Sequence, residues 1–178
     1  MFVSNFLSME FEIVRRQYNS KNCIVCGLEN SLGLKTRFYE TATNELIAVC
    51  TPLPEHQGYP NRLHGGISSA LLDETIGRAI CCGASEMIWG VTLELTVKFR
   101  KPVPYGSEIK ILGRITTSEG RVFEGTGEMY LPNGEVAVTA HGKYLRMAVD
   151  KITDSNFDSS GEWGYIKDEP LPERIIIG

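Results

Sequence analysis

Apolar and polar positions alternate in several short segments of this chain, and alternation of this kind predicts β-strands. Two such segments come early, at residues 35–39 and 45–51. Four more follow later with little between them, at residues 91–100, 108–115, 122–130 and 136–146. Because the turns between the last four are too short for parallel crossovers, we expect these strands to form an antiparallel meander.

The segment between the two sets of strands has a different pattern. Residues 64–83 predict one helix that is apolar on nearly every side, and Gly83 is well suited to end it. A helix with so narrow a polar face is usually enclosed by other elements. The sequence therefore predicts an α+β fold in which an antiparallel β-sheet wraps around a central, largely buried α-helix, as in the hotdog fold.

The two ends of the chain have weaker patterns. Residues 5–18 have apolar positions compatible with a short amphipathic helix, and regular order fades after Met147. We therefore predict an N-terminal extension over residues 1–22, a hotdog domain over 23–148 and a C-terminal tail over 149–178. We expect the tail to pack on its own subunit or on a neighbouring one.

Composition and charge narrow the possible partners. The net charge is −4, and the absence of a dense Lys/Arg cluster argues against a nucleic-acid partner. No apolar run approaches the roughly 20 residues that cross a bilayer, so we expect no membrane partner. Residues 1–16 lack the features of a signal peptide, and we expect a cytoplasmic protein.

The five cysteines do not suggest a disulfide framework, because their number is odd and they are clustered. Cys23 and Cys26 have the spacing of metal ligands, but a tetrahedral zinc site needs four. The sequence contains no second pair of this kind, so zinc would need a partner chain. We expect a turn with free thiols, no metal and no cofactor.

The stretch from Asn61 to Glu74 carries the candidate chemistry. Gly65 and Gly66 stand at the start of the predicted helix, where backbone N–H groups lack intrahelical partners and a ligand can approach closely. The positive end of the helix dipole favours negative charge developing on a carbonyl oxygen. Asp73, with Glu74 beside it, is a carboxylate on an apolar helix, where burial raises the pKa and suits a general base or a nucleophile.

The spacing of these groups has a consequence for assembly. Gly65 and Asp73 are eight residues apart, so the helical rise separates them by about 12 Å. If both act on one carbonyl, the acid must come from a second subunit whose helix runs antiparallel to the first. We therefore expect a homodimer with two shared active sites, in which two-fold symmetry makes both sites alike, and a dimer of dimers stays open.

Residues 23–147 resemble the PaaI-like branch of the hotdog acyl-coenzyme A (acyl-CoA) thioesterases. The resemblance lies in HisGlyGly at 64–66, LeuLeuAspGlu at 71–74 and the segment ValThrLeuGluLeuThrValLysPheArgLysProVal at 91–103. CysIleValCysGly at 23–27 and HisGlnGlyTyrPro at 56–60 also recur in that branch. The resemblance implies an enzyme that hydrolyses acyl-CoA thioesters.

The resemblance also implies roles for individual residues. The backbone N–H of Gly65 polarises the thioester carbonyl, and Asp73 of the partner subunit activates water or attacks directly. His64 lies near the thioester and shapes the start of the helix. Thr92 matches a Ser/Thr position that assists the acid or its water.

The remaining candidates are expected to contact the substrate. The family often has an amide side chain six residues before the histidine, but this chain has Gly58 there, so Gln57 or Asn61 is the candidate substitute. Arg100 and Lys101 are candidates for holding the phosphates of coenzyme A. Glu74 is an alternative acid or a salt-bridging neighbour, and Gly66 is expected beside the bound thioester.

The sequence is also compatible with two other functions. A hotdog hydratase or dehydratase would also act on acyl thioesters, but its sites pair a histidine and a carboxylate from other local motifs. An acyl-CoA binding module without turnover would keep the fold, although retention of Asp73 argues against it. The acyl group itself is not indicated by the sequence.

Overall fold

The computed structural model describes residues 8–153, 161–164 and 169–178. Within these residues an antiparallel eight-stranded sheet surrounds one α-helix, α1 (Gly65–Ala79). The strands of this sheet are β1 (Met9–Arg16), β3 (Arg37–Thr41), β4 (Leu46–Cys50), β7 (Gly90–Phe99), β8 (Ile109–Glu119), β9 (Val122–Tyr130), β10 (Val136–Arg146) and β12 (Arg174–Ile177). Their spatial order is β12-β1-β3-β4-β8-β9-β10-β7.

Four shorter strands form two small ladders beside this sheet. β2 (Asn19–Ser20) pairs with β11 (Trp163–Gly164), and β5 (Gln57–Tyr59) forms a hairpin with β6 (Arg62–Leu63). The hairpin turns at Asn61, whose φ of 62° lies in the left-handed region that asparagine tolerates better than most residues. Because β6 runs directly into His64, this hairpin positions the start of α1.

The main core lies between α1 and the face of the sheet that curves around it. Leu71, Leu72 and Ile76 of the helix are fully buried there. A side chain at Gly125 or Gly127 of β9 would overlap Ile76, so these glycines let the helix lie directly on the sheet. The expected arrangement of a sheet around a central, largely buried helix is confirmed.

The opposite face of the sheet is also buried in part. Strand alternation places Phe38 and Ala48 toward the helix, whereas Tyr39 and Ile47 belong to a second cluster on the other face. Residues of β1 and β12 complete that second cluster. This is why β3 and β4 are apolar on both faces.

The N-terminal helix prediction is wrong, because residues 9–16 form strand β1. Alternate side chains from Met9 to Ile13 pack on the second core cluster, and the strand is held by β3 on one side and β12 on the other. Its short apolar pattern fits both the helical period of 3.6 residues and the strand period of two residues. Pairing with strands that are distant in sequence decides between the two structures. Residues 1–7 of the predicted N-terminal extension lie outside the described residues.

Three further expectations need correction. β7 pairs with β10 and not with β8, so the last four strands are not a simple meander. Order does not end after Met147, because β12 joins the sheet beside β1. The helix ends at Ala79, and Gly83 (φ 72°) follows one turn later, so Gly83 is not its immediate cap.

Candidate active site

The start of α1 offers one backbone N–H group for a ligand. His64 caps the helix: its Nδ1 accepts a hydrogen bond from the Gly66 N–H at 2.9 Å. The N–H groups of Ile67 and Ser68 donate to the His64 carbonyl oxygen at 3.0 and 3.1 Å. Among the described hydrogen bonds, none uses the Gly65 N–H. Gly65 is therefore the available donor at this positive helix end, and Gly66 is already engaged.

Two close approaches shape the surroundings of this donor. A Cβ atom on Gly65 would lie 3.4 Å from the ring of Phe99, so the β7 side chain covers the helix start. A Cβ atom on Gly58 would lie 3.1 Å from both Cα and Cδ2 of His64. Gly58 thus allows the β5–β6 hairpin to lie close against the capping histidine.

The two amides proposed to replace the missing one at Gly58 share a neighbour. The Tyr105 hydroxyl lies 3.4 Å from Gln57 Oε1 and 3.3 Å from Asn61 Oδ1. Both amides are exposed on the hairpin, and this hydroxyl can donate to either of them. The structure therefore brings Gln57 and Asn61 together with Tyr105, a residue that the sequence analysis did not single out.

Asp73 is held by two hydroxyl groups from neighbouring strands. Thr92 Oγ1 donates to the Asp73 carboxylate, at 3.0 Å from Oδ1 and 3.2 Å from Oδ2. The Tyr144 hydroxyl lies 3.1 Å from Oδ1 and 3.1 Å from the Asp73 carbonyl oxygen. Thr92 and Tyr144 face each other across β7 and β10, so both side chains leave the same face of the sheet.

A β-bulge sets this pairing. The register shifts between Lys143, which pairs with Glu94, and Tyr144, which pairs with Thr92, so Leu93 is the extra residue. A bulge turns the strand locally and redirects the side chains beside it. Here it brings the two hydroxyl donors to one carboxylate.

The environment of Asp73 favours a basic carboxylate. Burial raises the pKa of Asp73, while the hydrogen bonds from Thr92 and Tyr144 lower it in part. Burial and the nearby Asp73 charge strongly raise the pKa of Tyr144, so its hydroxyl keeps its proton and stays a donor. A carboxylate in this state can accept a proton from water or attack a carbonyl.

A cavity of about 290 Å³ opens beside this carboxylate. Its walls combine the acid with aromatic, sulfur-containing and charged side chains. They are Ser20, Cys23, Asp73, Glu74, Gly77, Arg78, Cys81, Met87, Ile88, Trp89, Gly90, Thr92, Tyr144 and Trp163. The volume and the largely apolar lining suit a small organic group next to the acid.

Glu74 also lines the cavity but has another partner. Its Oε1 accepts a hydrogen bond from Arg78 Nε at 2.6 Å, and Arg78 Nη1 donates to the Tyr18 carbonyl oxygen at 2.9 Å. Arg78 is largely buried, with its guanidinium over the ring of Phe38. Glu74 therefore compensates a buried positive charge, whereas Asp73 faces two neutral donors.

The two basic candidates lie at the end of β7. The backbone N–H groups of Arg100 and Lys101 both donate to the Ala137 carbonyl oxygen, at 2.8 and 3.0 Å. The Lys101 ammonium forms an ion pair with Glu135. Arg100 is exposed and, among the described residues, has no ion pair, so it is the stronger candidate for a phosphate contact.

Like Tyr105, Tyr144 was not predicted from the sequence, although it contacts the Asp73 carboxylate. It lies in a strand among apolar neighbours and stacks on Phe123, with ring centroids 5.0 Å apart. The available signal was its hydroxyl, since a buried tyrosine usually needs a hydrogen-bond partner. Nothing in the sequence indicated that this partner is Asp73.

α1 is continuous from Gly65 to Ala79, so the Gly65 N–H and the Asp73 carboxylate are separated by about 12 Å of helical rise within one chain. The structure brings Asp73 together with Thr92 and places His64 with Gly65, but it keeps the two groups of residues apart. The arrangement of sheet, helix and helix-borne carboxylate is that of a hotdog domain.

Comparison with known sequences agrees with this fold. Residues 61–138 match the thioesterase superfamily. Over 85 residues the chain is 33% identical to the acyl-coenzyme A thioesterase THEM4 of Xenopus laevis, a match that covers 47% of this chain and 36% of that protein. The match thus spans little more than a third of the relative's length. Residues 61–138 of this chain are therefore similar to the thioesterase superfamily.

Solved structures show the same architecture. A crystal structure of a thioesterase superfamily protein is 26% identical with a TM-score of 0.63, covering 69% of this chain and 59% of that one. The PaaI protein from the phenylacetic acid degradation operon of E. coli has a TM-score of 0.58 at 16% identity, covering 65% of this chain and 81% of that one. The expected hotdog fold is confirmed. Among the described residues, no helix is both long and apolar enough to cross a membrane.

Proposed function

We propose that this chain hydrolyses acyl-CoA thioesters to a free acid and coenzyme A. The observation that carries the proposal is the Asp73 carboxylate, half-buried at the wall of a cavity and held by Thr92 and Tyr144. A helix start with an available N–H at Gly65 supplies the second requirement of acyl transfer, a donor for the developing oxyanion. The name of the THEM4 relative supports coenzyme A as the thiol.

In this mechanism the thioester carbonyl oxygen accepts a hydrogen bond from the Gly65 N–H. His64 keeps that donor in place because its Nδ1 fixes the first turn of the helix through Gly66. The acid then acts by one of two routes. Asp73 takes a proton from water, which attacks the carbonyl carbon, or Asp73 attacks it directly and water hydrolyses the resulting anhydride. In both routes the C–S bond breaks and the thiolate of coenzyme A leaves.

The two groups must come from different chains, since about 12 Å separates them along one helix. The strand that can join two chains is β7, which pairs with β10 on one side and, within the described residues, with no strand on the other. Its Leu93 and Phe99 side chains are 54% and 57% exposed, which is unusual for large apolar residues in a long strand. These features support a homodimer formed through β7, with Phe99 close to the shared site.

Light scattering during gel filtration should give twice the mass of one chain, or four times that mass for a dimer of dimers. The mass of a single chain would argue against shared sites.

Arg100, at the end of the same strand, is the proposed contact for the coenzyme A phosphates, with Lys101 beside it. Gln57 and Asn61 are proposed to contact the substrate from the hairpin next to His64. The compartment we propose is the cytoplasm. Its support is that all five cysteines are free, as expected in a reducing environment.

The test is thiol release from phenylacetyl-, benzoyl-, acetyl-, hexanoyl- and palmitoyl-CoA, followed with a chromogenic thiol reagent. Asp73→Asn keeps the volume of the side chain and removes the base, so turnover should fall at least a hundredfold. Asp150→Asn makes the same chemical change at an exposed position away from the cavity and should be unaffected. Wild-type turnover that survives in Asp73→Asn would exclude Asp73 as the acid.

The same preparation distinguishes the other functions. A hydratase would instead change the absorbance of an enoyl-CoA without releasing thiol. A binding module would bind acyl-CoA tightly, with no thiol released from any substrate. Either result would replace the thioesterase proposal.

A further inference from the structure

A second group of reactive side chains lies in the cavity wall, apart from Asp73. Cys23 and Cys26 belong to a turn between β2 and β3, and Glu74 reaches the same place from α1. One ligand atom from each of the three residues, two sulfurs and a carboxylate oxygen, lies within 4.8 Å of the others. The third ligand that the sequence spacing could not supply therefore comes from the helix of the same chain.

In the turn around the two cysteines, backbone N–H groups donate hydrogen bonds to both sulfur atoms. The Val25 N–H donates to Cys23 Sγ at 3.3 Å, and the Ser20 N–H donates to Cys26 Sγ at 3.4 Å. Backbone N–H groups aimed at sulfur stabilise the thiolate, which is the form that binds metals. The turn closes through the Gly27 N–H, 2.8 Å from the Cys23 carbonyl oxygen, and a Cβ atom on Gly27 would lie only 2.4 Å from that oxygen.

The charges around this cluster favour the binding of a divalent cation. Arg78 is the neighbouring positive group: its Nη2 lies 3.5 Å from Cys26 Sγ, and its Nε contacts Glu74 Oε1. With both cysteines as thiolates, three negative groups would face one guanidinium. An ion of charge +2 would balance the net negative charge that remains after the guanidinium is counted. Glu74 can keep Oε1 on Arg78 and offer its other oxygen to the ion.

We propose that Cys23, Cys26 and Glu74 bind one Zn²⁺ ion, with a fourth coordination position open to the cavity. Zinc fits because two thiolates and a carboxylate in a tetrahedral arrangement are ligands that it prefers. Zinc–sulfur bonds of about 2.3 Å place two tetrahedral sulfurs about 3.8 Å apart, so a shift of about 1 Å closes the cluster around the ion. Three protein ligands with one open position are typical of accessible rather than purely structural zinc sites.

The site does not depend on the thioesterase activity, so the two proposals can fail separately. Its position still links it to the cavity, since Glu74 follows Asp73 in the helix and Cys23 is half-buried in the cavity wall. The ion would lie on the side of the cavity occupied by Arg78.

The test measures metal directly. The full chain is purified with a reducing agent, and bound zinc is quantified per chain by plasma emission spectrometry. Zinc is then replaced by Co²⁺, whose thiolate bonds give an intense near-ultraviolet absorption and whose visible bands report tetrahedral coordination. We expect one equivalent of zinc and both absorption features in the wild type.

The variants distinguish the ligands. Cys23→Ser removes a half-buried thiol and should weaken the thiolate band, and Glu74→Gln should lower metal affinity at least tenfold while keeping that band. Cys82→Ser is the matched control, because Cys82 is another half-buried thiol outside the cluster, and it should bind like the wild type. Thermal unfolding of each variant shows that it is folded before binding is compared.

Three results would overturn the proposal. The first is a folded, reduced wild-type chain with no zinc and no cobalt spectrum at saturating metal. The second is metal binding of equal affinity in wild type, Cys23→Ser and Glu74→Gln. A Cys23–Cys26 disulfide found by mass spectrometry in metal-free protein from reducing conditions would also overturn it, and would indicate a redox pair instead.

Discussion

The Thr92 hydroxyl should set the pH at which Asp73 becomes active. Thr92→Val removes the donor that lies 3.0 and 3.2 Å from the two carboxylate oxygens, with almost no change of volume. A hydrogen bond to a charged group contributes about 1.5–3 kcal/mol, and the exposed position of Thr92 reduces this to about 1 kcal/mol. Because the hydrogen bond lowers the pKa of Asp73, its loss raises that pKa, and the carboxyl is protonated over a wider acidic range.

This upward shift of the Asp73 pKa determines the expected result. The acidic limb of the kcat/KM profile should move to higher pH, and at a fixed pH on that limb the rate should fall about fivefold, the equivalent of about 1 kcal/mol. On the alkaline plateau, where Asp73 is ionised in both proteins, the loss should be smaller. Thr96→Val, four residues along the same strand, is the control and should keep the wild-type profile. An unchanged acidic limb in Thr92→Val would refute the assignment of Asp73 as the titrating group.

Three other variants test the same site and its scaffold. Tyr144→Phe removes the second donor to Asp73, so the acidic limb should again move to higher pH, by less than in Thr92→Val; a shift to lower pH would contradict the hydrogen bond. Asp73→Asn should raise the melting temperature at neutral pH, because burial penalises the charge that it removes; a lower melting temperature would show that the carboxylate stabilises the fold. Gly83→Ala should cost more than about 1 kcal/mol of unfolding free energy, since φ is 72° and its Cβ would lie 2.7 Å from Asn44 Oδ1. Gly106→Ala, with φ 77° and open space around it, is the matched control, and an equal loss in both would exclude the contact.

Local patterns in the sequence were sufficient to predict the strands and the helix that form the centre of the fold. Strands β8, β9 and β10 lie where alternation predicts them, and α1 lies where a helix apolar on nearly every side is expected. Each of these patterns is contained in one segment. The prediction failed for β1, where eight residues fit either period and the outcome depends on β3 and β12, both distant in sequence.

In the candidate site, too, local features were predicted from the sequence, whereas contacts between distant segments were not. The HisGlyGly motif and Asp73 were visible because they stand at fixed spacing on one helix. The contact between Asp73 and Thr92 was expected only through the family resemblance, whereas the contact with Tyr144 depends on the pairing of β7 with β10, which local patterns did not predict. The proximity of Cys23 and Cys26 to Glu74 likewise depends on the packing of a loop on a helix, which residue spacing does not encode.

The length of α1 has a genetic consequence in the proposed dimer. Each chain gives its acid to one site and its N–H donor to the other, so a lesion at Asp73 and a lesion at Gly65 damage different sites. A mixed dimer of the two inactive variants holds one doubly damaged site and one intact site. Random exchange of subunits between equal amounts would place half of the chains in such dimers, which restores about a quarter of the wild-type activity. Two alleles that are each inactive alone would therefore complement when expressed in one cell.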